Sequence, residues 1–372
     1  MLKKLDKTVL ITATILFVIG LLMIFSASNV TAFMKYGAAP YRFFIKQLIF
    51  LTVSVLGGIV LIHFKTKTYY GWSNILVVVM TAFLIFVLLF SEQKNQASSW
   101  ANFKGMGIQP SEFIKVVMIV WIPCYYNKFK NKLNNLLIVL IPVVIIGFIS
   151  ILIYSQPDLG TTIIFLALCF LMFIAIPFPK EMQKKLFKLA GIGILFLLSM
   201  VLILKASGKD ILLTRQLERF NYFNPCGRFI TTGNQICNGY IAINNGGLLG
   251  EGLGNSTQKY LYLPEAHTDF IFAIIMEELG LIASLGIIIL YIILLARIIY
   301  IARGAKNNRN ALICYGVAIY IFLHIFVNLS GLYGLLPMTG VPLPFMSYGG
   351  SFTLSLVMAL TLVQRVYIEN NK

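Results

Sequence analysis

The segment "LPEAHTDFIFAIIMEELGLIASLGIIILYIILLARIIY" (263–300) decides the fold class. From residue 270 onward it is an apolar run, and about 20 such residues are enough to cross a bilayer as a helix. Ionisable side chains nevertheless crowd its start: Glu265, His267, Asp269, Glu277 and Glu278. A carboxylate at the centre of a membrane helix costs at least ~2.5 kcal/mol, so these groups need partners or a function.

The whole chain has the composition of a membrane protein. Of its 372 residues, 59% are hydrophobic and 12% are charged, and the mean hydropathy is +0.86. A soluble domain has about 25% charged residues. Apolar runs predict transmembrane helices near 8–28, 46–63, 74–91, 109–124, 135–154, 160–177, 189–205, 270–300, 311–336 and 350–366. We therefore expect an all-α, polytopic integral membrane protein with about ten transmembrane helices, forming a single domain over 1–372.

The distribution of basic residues predicts the orientation. Lysine clusters at 65–67, 128–132 and 180–188 lie in short connections on the same side as the N-terminus. Short loops rich in lysine and arginine stay in the cytoplasm. We expect both termini to be cytoplasmic. The net charge of +17 is then explained by anionic membrane lipids at these loops, and no nucleic acid partner is expected.

A long segment, 206–268, separates the seventh and eighth predicted spans. Long connections are usually functional or disordered, and this one is aromatic and glycine-rich instead of charged, which favours a folded extracytoplasmic loop. It contains Cys226 and Cys237, whereas the other three cysteines fall in or beside apolar spans. An even pair in an outer loop predicts a disulfide, and two free thiols are the alternative.

Three further polar segments are expected on the same side as this loop. They are "SSWANFKGMGIQPSEF" (98–113), "YSQPDLGTT" (154–162) and "GLLPMTGVPLPFMSYGGSF" (334–352). The last is too rich in proline and glycine for a regular helix, and such backbone at membrane depth is tolerated where it is buried or lines a cavity. The sequence therefore predicts a cavity at the outer face.

Single residues in these segments have two interpretations each. Trp100 is either an interfacial anchor or a substrate contact. Glu112 and Lys115 are three residues apart and can form an ion pair, which either holds helices together or lines the cavity. For Asp158 we favour the cap of the sixth helix.

Four stretches together resemble the signatures of the SEDS family, which includes FtsW, RodA and SpoVE. They are "QPSEFIK" (109–115), "QPDLGTT" (156–162), "LPEAHTDFIFAIIMEELG" (263–280) and "GVPLPFMSYGGS" (340–351). Their order and spacing match over essentially the whole chain. The resemblance implies an inverting peptidoglycan glycosyltransferase of the bacterial cell membrane, which polymerises lipid II at the outer face. The implied partners are a class B penicillin-binding protein and other divisome proteins.

The resemblance also implies the division subtype and the catalytic residue. Ala266 stands where elongation-type members commonly have arginine, so the chain is more similar to the FtsW type. The family's catalytic aspartate maps onto Asp269, as a general base for a sugar hydroxyl. A pyrophosphate leaving group departs unprotonated, so one base is enough. From the residues alone, a cap of the eighth helix is the competing role of Asp269, and structural roles are expected for Glu277 and Glu278.

Substrate-binding candidates are spread over the outer segments: Trp100, Glu112, Lys115, Arg215, Lys259, His267 and Ser347. Phosphate-binding cations are expected among the lysines and arginines of this set and Arg219. His63 and His324 have no metal-ligand spacing around them, so no metal site or cofactor is predicted, although a divalent cation is left open. A flippase for lipid-linked sugars, an elongation-type polymerase and a scaffold are the alternative functions.

Overall fold

The computed structural model describes residues 4–90, 100–103, 106–192, 225–228 and 233–371. The helices are α1 (Lys7–Tyr36), α2 (Arg42–Leu61), α3 (Thr66–Phe90), α4 (Pro110–Lys128), α5 (Leu136–Tyr154), α6 (Leu159–Ile174), α7 (Asn234–Gly246), α8 (Ile271–Arg303), α9 (Asn308–Leu332) and α10 (Gly350–Asn370). One short hairpin precedes α4, with β1 (Ala101–Phe103) antiparallel to β2 (Met106–Ile108).

Seven of these helices are long and apolar enough to cross a membrane: α1, α2, α3, α5, α8, α9 and α10. The chain is therefore a polytopic helical membrane protein. Helix α6 is a shorter apolar helix, and α4 carries an ionic pair and is buried along most of its length. The predicted seventh span, 189–205, lies mostly outside the described residues, so the predicted number of ten stays a prediction.

Helices α1 to α6 alternate in direction, and so do α8 to α10, which gives the bundle two distinct sides. Both chain ends lie on one side, which we call the terminal side. There Asp6 caps α1 and forms an ion pair with Arg297 at 2.6 Å, and Glu369 bonds both to Thr66 and to Arg365. The connections after α1, α5 and α9, the hairpin and the segment before α8 lie on the opposite side, which we call the cavity side.

Helix α8 is broken at Gly280. This residue has φ 77° and ψ 177°, and its neighbours bond to a loop backbone instead of continuing the helix. The amides of Glu251 and Leu281 donate to the carbonyls of Glu277 and Gly247 at 2.9 and 3.0 Å. A Cβ on residue 280 would lie 2.4 Å from the nitrogen of Gly250, so only glycine fits. The single continuous span predicted over 270–300 is therefore two helical pieces.

The described part of the long loop is folded, as its composition predicts. Helix α7 packs against the first piece of α8, and the residues between 247 and 270 form a series of turns. Cys226, in a short 3-10 turn, and Cys237, in α7, form a disulfide. The three other cysteines, Cys124, Cys169 and Cys314, are buried and free. The disulfide thus joins the start of the described loop to α7.

Candidate active site

The cavity side contains a pocket of about 330 Å³. The end of α1, the start of α2, the hairpin, the start of α4, residues 267–269 and the glycine-rich segment 340–352 line it. Elements that are far apart in sequence thus meet around one volume. The structure thus contains a cavity lined by three of the polar segments from which a cavity was predicted.

Asp269 lies in the wall of this cavity, just before α8. Its backbone carbonyl accepts a hydrogen bond of 2.9 Å from the amide of Asn328, which also donates to Val341 at 2.8 Å. Gly340 has φ 68°, and a Cβ there would lie 3.5 Å from Asp269 Oδ2. The backbone of the glycine-rich segment therefore approaches the carboxyl group closely.

The electrostatic environment of Asp269 suits a base. Burial raises its pKa to about 7, and the negative charges of Glu265 and Asp158 act in the same direction. The cap role is not what the structure shows: α8 begins at Ile271, with Phe270 at the cap position and no side-chain capping bond. The carboxyl group of Asp269 is thus left to face the cavity.

Ser347 holds the segment that carries Asp269 in place. Its hydroxyl donates to the carbonyl of Thr268 at 2.6 Å and accepts from the amide of Leu343 at 2.8 Å. The amide of Tyr348 donates to the carbonyl of His267 at 3.0 Å. Ser347 is buried and is not among the residues that line the cavity, so its role in substrate binding stays a prediction. Its hydroxyl is already occupied by backbone groups.

A buried ionic network lies beside the cavity. Lys115 Nζ is 2.8 Å from Glu112 Oε1 and 3.1 Å from His324 Nε2. Because lysine can only donate, His324 Nε2 is the acceptor, and the other ring nitrogen carries the proton toward the carbonyl of Pro342 at 3.3 Å. The predicted ion pair is present. Glu112 lines the cavity, whereas Lys115 is fully buried and its charge is already paired with Glu112.

His267 and Trp100 both line the cavity. The His267 ring packs 4.7 Å from Phe43 and 5.8 Å from Tyr348, measured between ring centroids. Burial and the positive charge of Lys35 lower the pKa of His267 to about 4, so this imidazole is neutral at physiological pH. Trp100 is 43% exposed within the pocket wall, an arrangement that fits its interpretation as a substrate contact.

The cations predicted to bind phosphate have different surroundings, and their role stays a prediction. Lys259 is buried, its Nζ lies 2.9 Å from Glu278 Oε1, and it also donates to the carbonyl of Gly254. It is therefore neutralised away from the cavity. Arg215 and Arg219 lie outside the described residues. Among the described residues, the lysine that lines the cavity is Lys46 of α2.

Sequence reasoning missed Lys46 because it is the first residue of a predicted apolar span. A signal was present in the spacing: Phe43, Lys46 and Phe50 stand at positions i, i+3 and i+7 of one helix and share a face. All three line the cavity. A lysine between two aromatic residues at helical spacing was therefore the available indicator.

Glu277 and Glu278 are held by hydrogen bonds and an ion pair instead of facing the cavity. Glu277 accepts from the hydroxyl of Ser256 and from the amide and hydroxyl of Thr257 at 3.1 and 2.9 Å. Glu278 accepts from Lys259 and, at 2.7 Å, from Ser26 of α1. We call Ser26, residues 256–259, Glu277 and Glu278 the carboxylate clasp. The structural roles expected for both glutamates agree with these contacts.

Asp158 caps α6, as predicted, by accepting from the amide of Thr161 at 3.0 Å. Its other carboxylate oxygen accepts from the side chain of Gln109, a cavity-lining residue, at 2.7 Å. Within the described ranges, no group of three or more histidine, cysteine, aspartate or glutamate side chains has the arrangement of a metal site.

The fold and the cavity define a class of protein: a polytopic helical membrane protein with a polar, aspartate-containing pocket at one membrane face. The family described as Cell cycle protein, which covers FtsW, RodA and SpoVE, matches residues 6–372. The chain belongs to this family.

Named relatives cover nearly the whole chain. It is 35% identical over 385 residues to the probable peptidoglycan glycosyltransferase FtsW of Bacillus subtilis, covering 100% of this chain and 94% of the relative. It is 33% identical over 366 residues to stage V sporulation protein E of the same organism, covering 97% and 96%.

Two solved structures share the fold. One is a chain from a structure of a peptidoglycan synthase complex that coordinates polymerization and crosslinking. It matches with a TM-score of 0.76 at 21% identity, and the match covers 99% of each chain. The rod shape determining protein RodA of Thermus thermophilus matches with a TM-score of 0.69 at 21% identity, covering 99% of this chain and 98% of RodA.

Proposed function

We propose that this chain is a peptidoglycan glycosyltransferase that polymerises lipid II into glycan strands at the outer face of the bacterial cell membrane. The observation that carries the proposal is the carboxyl group of Asp269, with a pKa raised to about 7, in the wall of a cavity at one membrane face. The names of the FtsW relatives support the same activity.

In the proposed reaction, the 4-hydroxyl oxygen of one sugar attacks the anomeric carbon of another. The new glycosidic bond forms while the bond to the lipid pyrophosphate breaks, and the anomeric configuration inverts. The hydroxyl proton passes to the carboxylate of Asp269, which later releases it to water. The pyrophosphate leaves as an anion with the bonding electron pair, so the reaction needs no general acid.

The other cavity residues receive roles from their positions. Lys46 replaces Lys259 as the cation for the pyrophosphate, because it lines the cavity. Trp100 offers an aromatic surface to a sugar ring, and Glu112 offers a hydrogen-bond acceptor. His267, neutral at physiological pH, contributes shape and hydrogen bonding instead of positive charge.

We propose further that the chain acts in cell division together with a class B penicillin-binding protein. The names of its relatives favour this role. Relatives named FtsW from Bacillus subtilis and Coxiella burnetii are 35% and 33% identical to the chain. A structural neighbour at 21% identity comes from a peptidoglycan synthase complex. Ala266 adds the sequence argument for the FtsW type over the elongation type.

A flippase would need a continuous route between the two membrane faces. The buried network of Glu112, Lys115 and His324 lies next to the cavity and consists of mutually bonded, buried side chains. Opening a route there would separate Lys115 from Glu112, and a charge left buried without its partner costs about 3 to 5 kcal/mol. This network supports the polymerase over the flippase.

The decisive experiment incubates purified protein with fluorescent lipid II, alone and with a class B penicillin-binding protein whose transpeptidase is blocked, and resolves the products on a gel. Glycan polymer is expected in at least one of the two reactions. Lys46→Gln is expected to slow polymerisation, while Lys67→Gln on the terminal side leaves it unchanged. No polymer under either condition, with a folded protein and intact lipid II, would refute the proposal.

The proposed orientation places the cavity side outside the cell and both termini in the cytoplasm. Cysteines introduced at exposed Glu251 and at Lys130 are expected to react oppositely with a membrane-impermeant thiol reagent in wall-free cells. Ser256 is unsuitable for this test because it is buried in the clasp. Labelling at residue 130 from outside would reverse the orientation.

A further inference from the structure

A second cavity, of about 280 Å³, lies between α3, α4 and α5. Its walls include Tyr70 and Asn74 of α3, Trp121 and Lys128 of α4, and Ile145 of α5. It shares no lining residue with the candidate active site. The mechanism proposed above makes no use of it.

The cavity extends from the terminal side into the membrane-spanning part of the bundle. Lys128 is the last residue of α4, whereas Trp121 precedes it by seven positions, or about 10 Å of helix. Ile145 lies nine positions after Leu136, the start of α5, or about 13 Å deep. The cavity thus joins the headgroup level to the upper acyl region of one leaflet.

Its deeper wall carries a polar group exposed at membrane depth. Trp121 Nε1 donates to Asn74 Oδ1 at 2.7 Å. The amide nitrogen of Asn74 makes no hydrogen bond within the described part of the chain, and the residue is exposed. In hydrocarbon a donor without an acceptor is costly, so a ligand with an oxygen at this depth is favoured.

The mouth of the cavity is positively charged. Lys128 is exposed, and no carboxylate of the described residues lies within ion-pair distance of it. No acidic residue lines the cavity. Exposed Lys67, Lys130 and Lys132 flank the same edge in the sequence. An anionic group would be attracted to this edge.

We propose that this cavity binds one anionic phospholipid from the leaflet on the terminal side. The phosphate contacts Lys128, an ester carbonyl accepts from the amide of Asn74, and an acyl chain lies along Trp121 and Ile145. Exposed Tyr70 and Ile141 mark the lateral opening to the membrane. A phospholipid carries a negative charge, a hydrogen-bond acceptor and a hydrocarbon chain in this order of depth. The cavity has a lysine, an amide donor and apolar side chains in the same order.

Fluorescence quenching tests the proposal independently of glycan synthesis. A variant with Trp72→Phe and Trp100→Phe leaves Trp121 as the single tryptophan. The variant is placed in bilayers with a small fraction of acyl-brominated phosphatidylglycerol or, in the second arm, brominated phosphatidylcholine. We expect stronger quenching by the anionic lipid at equal bromine content.

Substitutions in this background separate a built site from general attraction. Lys128→Gln is expected to reduce the preference for phosphatidylglycerol about fivefold. Lys128→Arg should keep the preference, and Lys185→Gln, at an exposed lysine outside the cavity, should leave it unchanged. Ile145→Phe fills the cavity without adding a second tryptophan. This variant should weaken the quenching of Trp121 by both lipids.

Two results would overturn the proposal. Equal quenching by both lipids, unchanged by Lys128→Gln and Ile145→Phe, would mean that Trp121 senses only bulk lipid. A loss on Lys128→Gln with no effect of Ile145→Phe would mean that lysines attract lipid at the surface without a cavity site. Unchanged melting temperatures of the variants exclude misfolding as the cause of any loss.

Discussion

Two groups of carboxylates lie within ten residues of each other and have opposite surroundings. Glu277 and Glu278, in the carboxylate clasp, accept hydrogen bonds from serine, threonine and backbone donors, and Glu278 also pairs with Lys259. Asp269 faces the cavity, and its side chain makes no hydrogen bond or ion pair with the described residues.

The difference shows that the surroundings of a carboxylate decide whether it has a structural role or can act as a base. A carboxylate whose oxygens already accept several hydrogen bonds is held in place and serves the structure. A buried carboxylate without donors has a raised pKa and can take up a proton near neutral pH. The clasp fixes the first piece of α8 to the loop and α1, and Asp269 is carried at the start of that piece.

The largest effect is expected at Asp269. Asp269→Asn keeps the shape of the side chain and removes the base, so polymerisation of lipid II should fall 10²- to 10⁴-fold. Gel-resolved polymerisation rates measure this loss. Glu265→Gln, which changes a neighbouring carboxylate, is the matched control and should keep most of the activity. If Asp269→Asn polymerises lipid II at nearly the parent rate, Asp269 is not the base and does not differ in role from the clasp glutamates.

In the clasp, the loss should be in stability. Glu278→Ala leaves Lys259 buried without a counter-charge, and breaking such a pair costs about 3 to 5 kcal/mol. Thermal unfolding in detergent should show a clear decrease in melting temperature. The double variant Glu278→Leu with Lys259→Met should recover much of it, because apolar side chains then replace the ion pair and Lys259 is not left without its counter-charge. An unstable double variant would show that the clasp acts through more than this ion pair.

The rate of polymerisation should depend on pH through Asp269. Only the ionised form of Asp269 is a base, so with a pKa of about 7 the rate should rise with pH and fall roughly tenfold between pH 8 and pH 6. Since negative Glu265 contributes to the raised pKa, Glu265→Gln should move the midpoint of the rate profile to lower pH. A flat profile over this range would contradict the assigned base.

Stability should change with pH in the opposite sense at Asp269. Its folded pKa lies above the ordinary value, so the folded state holds the proton more tightly and stability decreases as pH rises from about 4 to 7. Asp269→Asn removes this term and should be at least as stable as the parent at pH 8. A strong loss of stability would instead indicate a structural role like that of the clasp.

The smallest effect on activity is expected for the disulfide of Cys226 and Cys237, which closes a loop remote from both carboxylate groups in sequence. In the chain-entropy model its loss costs roughly 2 to 3 kcal/mol for a loop of this size. Mass spectrometry of non-reduced, alkylated peptides should show both cysteines unmodified before reduction. Replacing both with serine should loosen α7 and reduce activity only mildly.

Much of the site could be predicted because a charged residue in or beside a membrane span has few possible roles: it caps a helix, forms an ion pair or lines a cavity. The structure contains the predicted ion pair of Glu112 and Lys115 and the predicted helix cap at Asp158. It also places Asp269 in the wall of the cavity. The partners of Ser347 and Lys259 could not be predicted, because residue type reveals a donor but not the acceptor that it already has.

The sequence by itself determined the medium, the all-helical class, the family and the position of the carboxyl group that faces the cavity. These follow from hydropathy, spacing and motifs, which are local along the chain. Only the tertiary structure decided that Gly280 breaks α8, that Lys46 lines the cavity and that Lys259 does not. Each of these depends on backbone or charges more than a helix turn away in sequence, and such partners are specified only by packing.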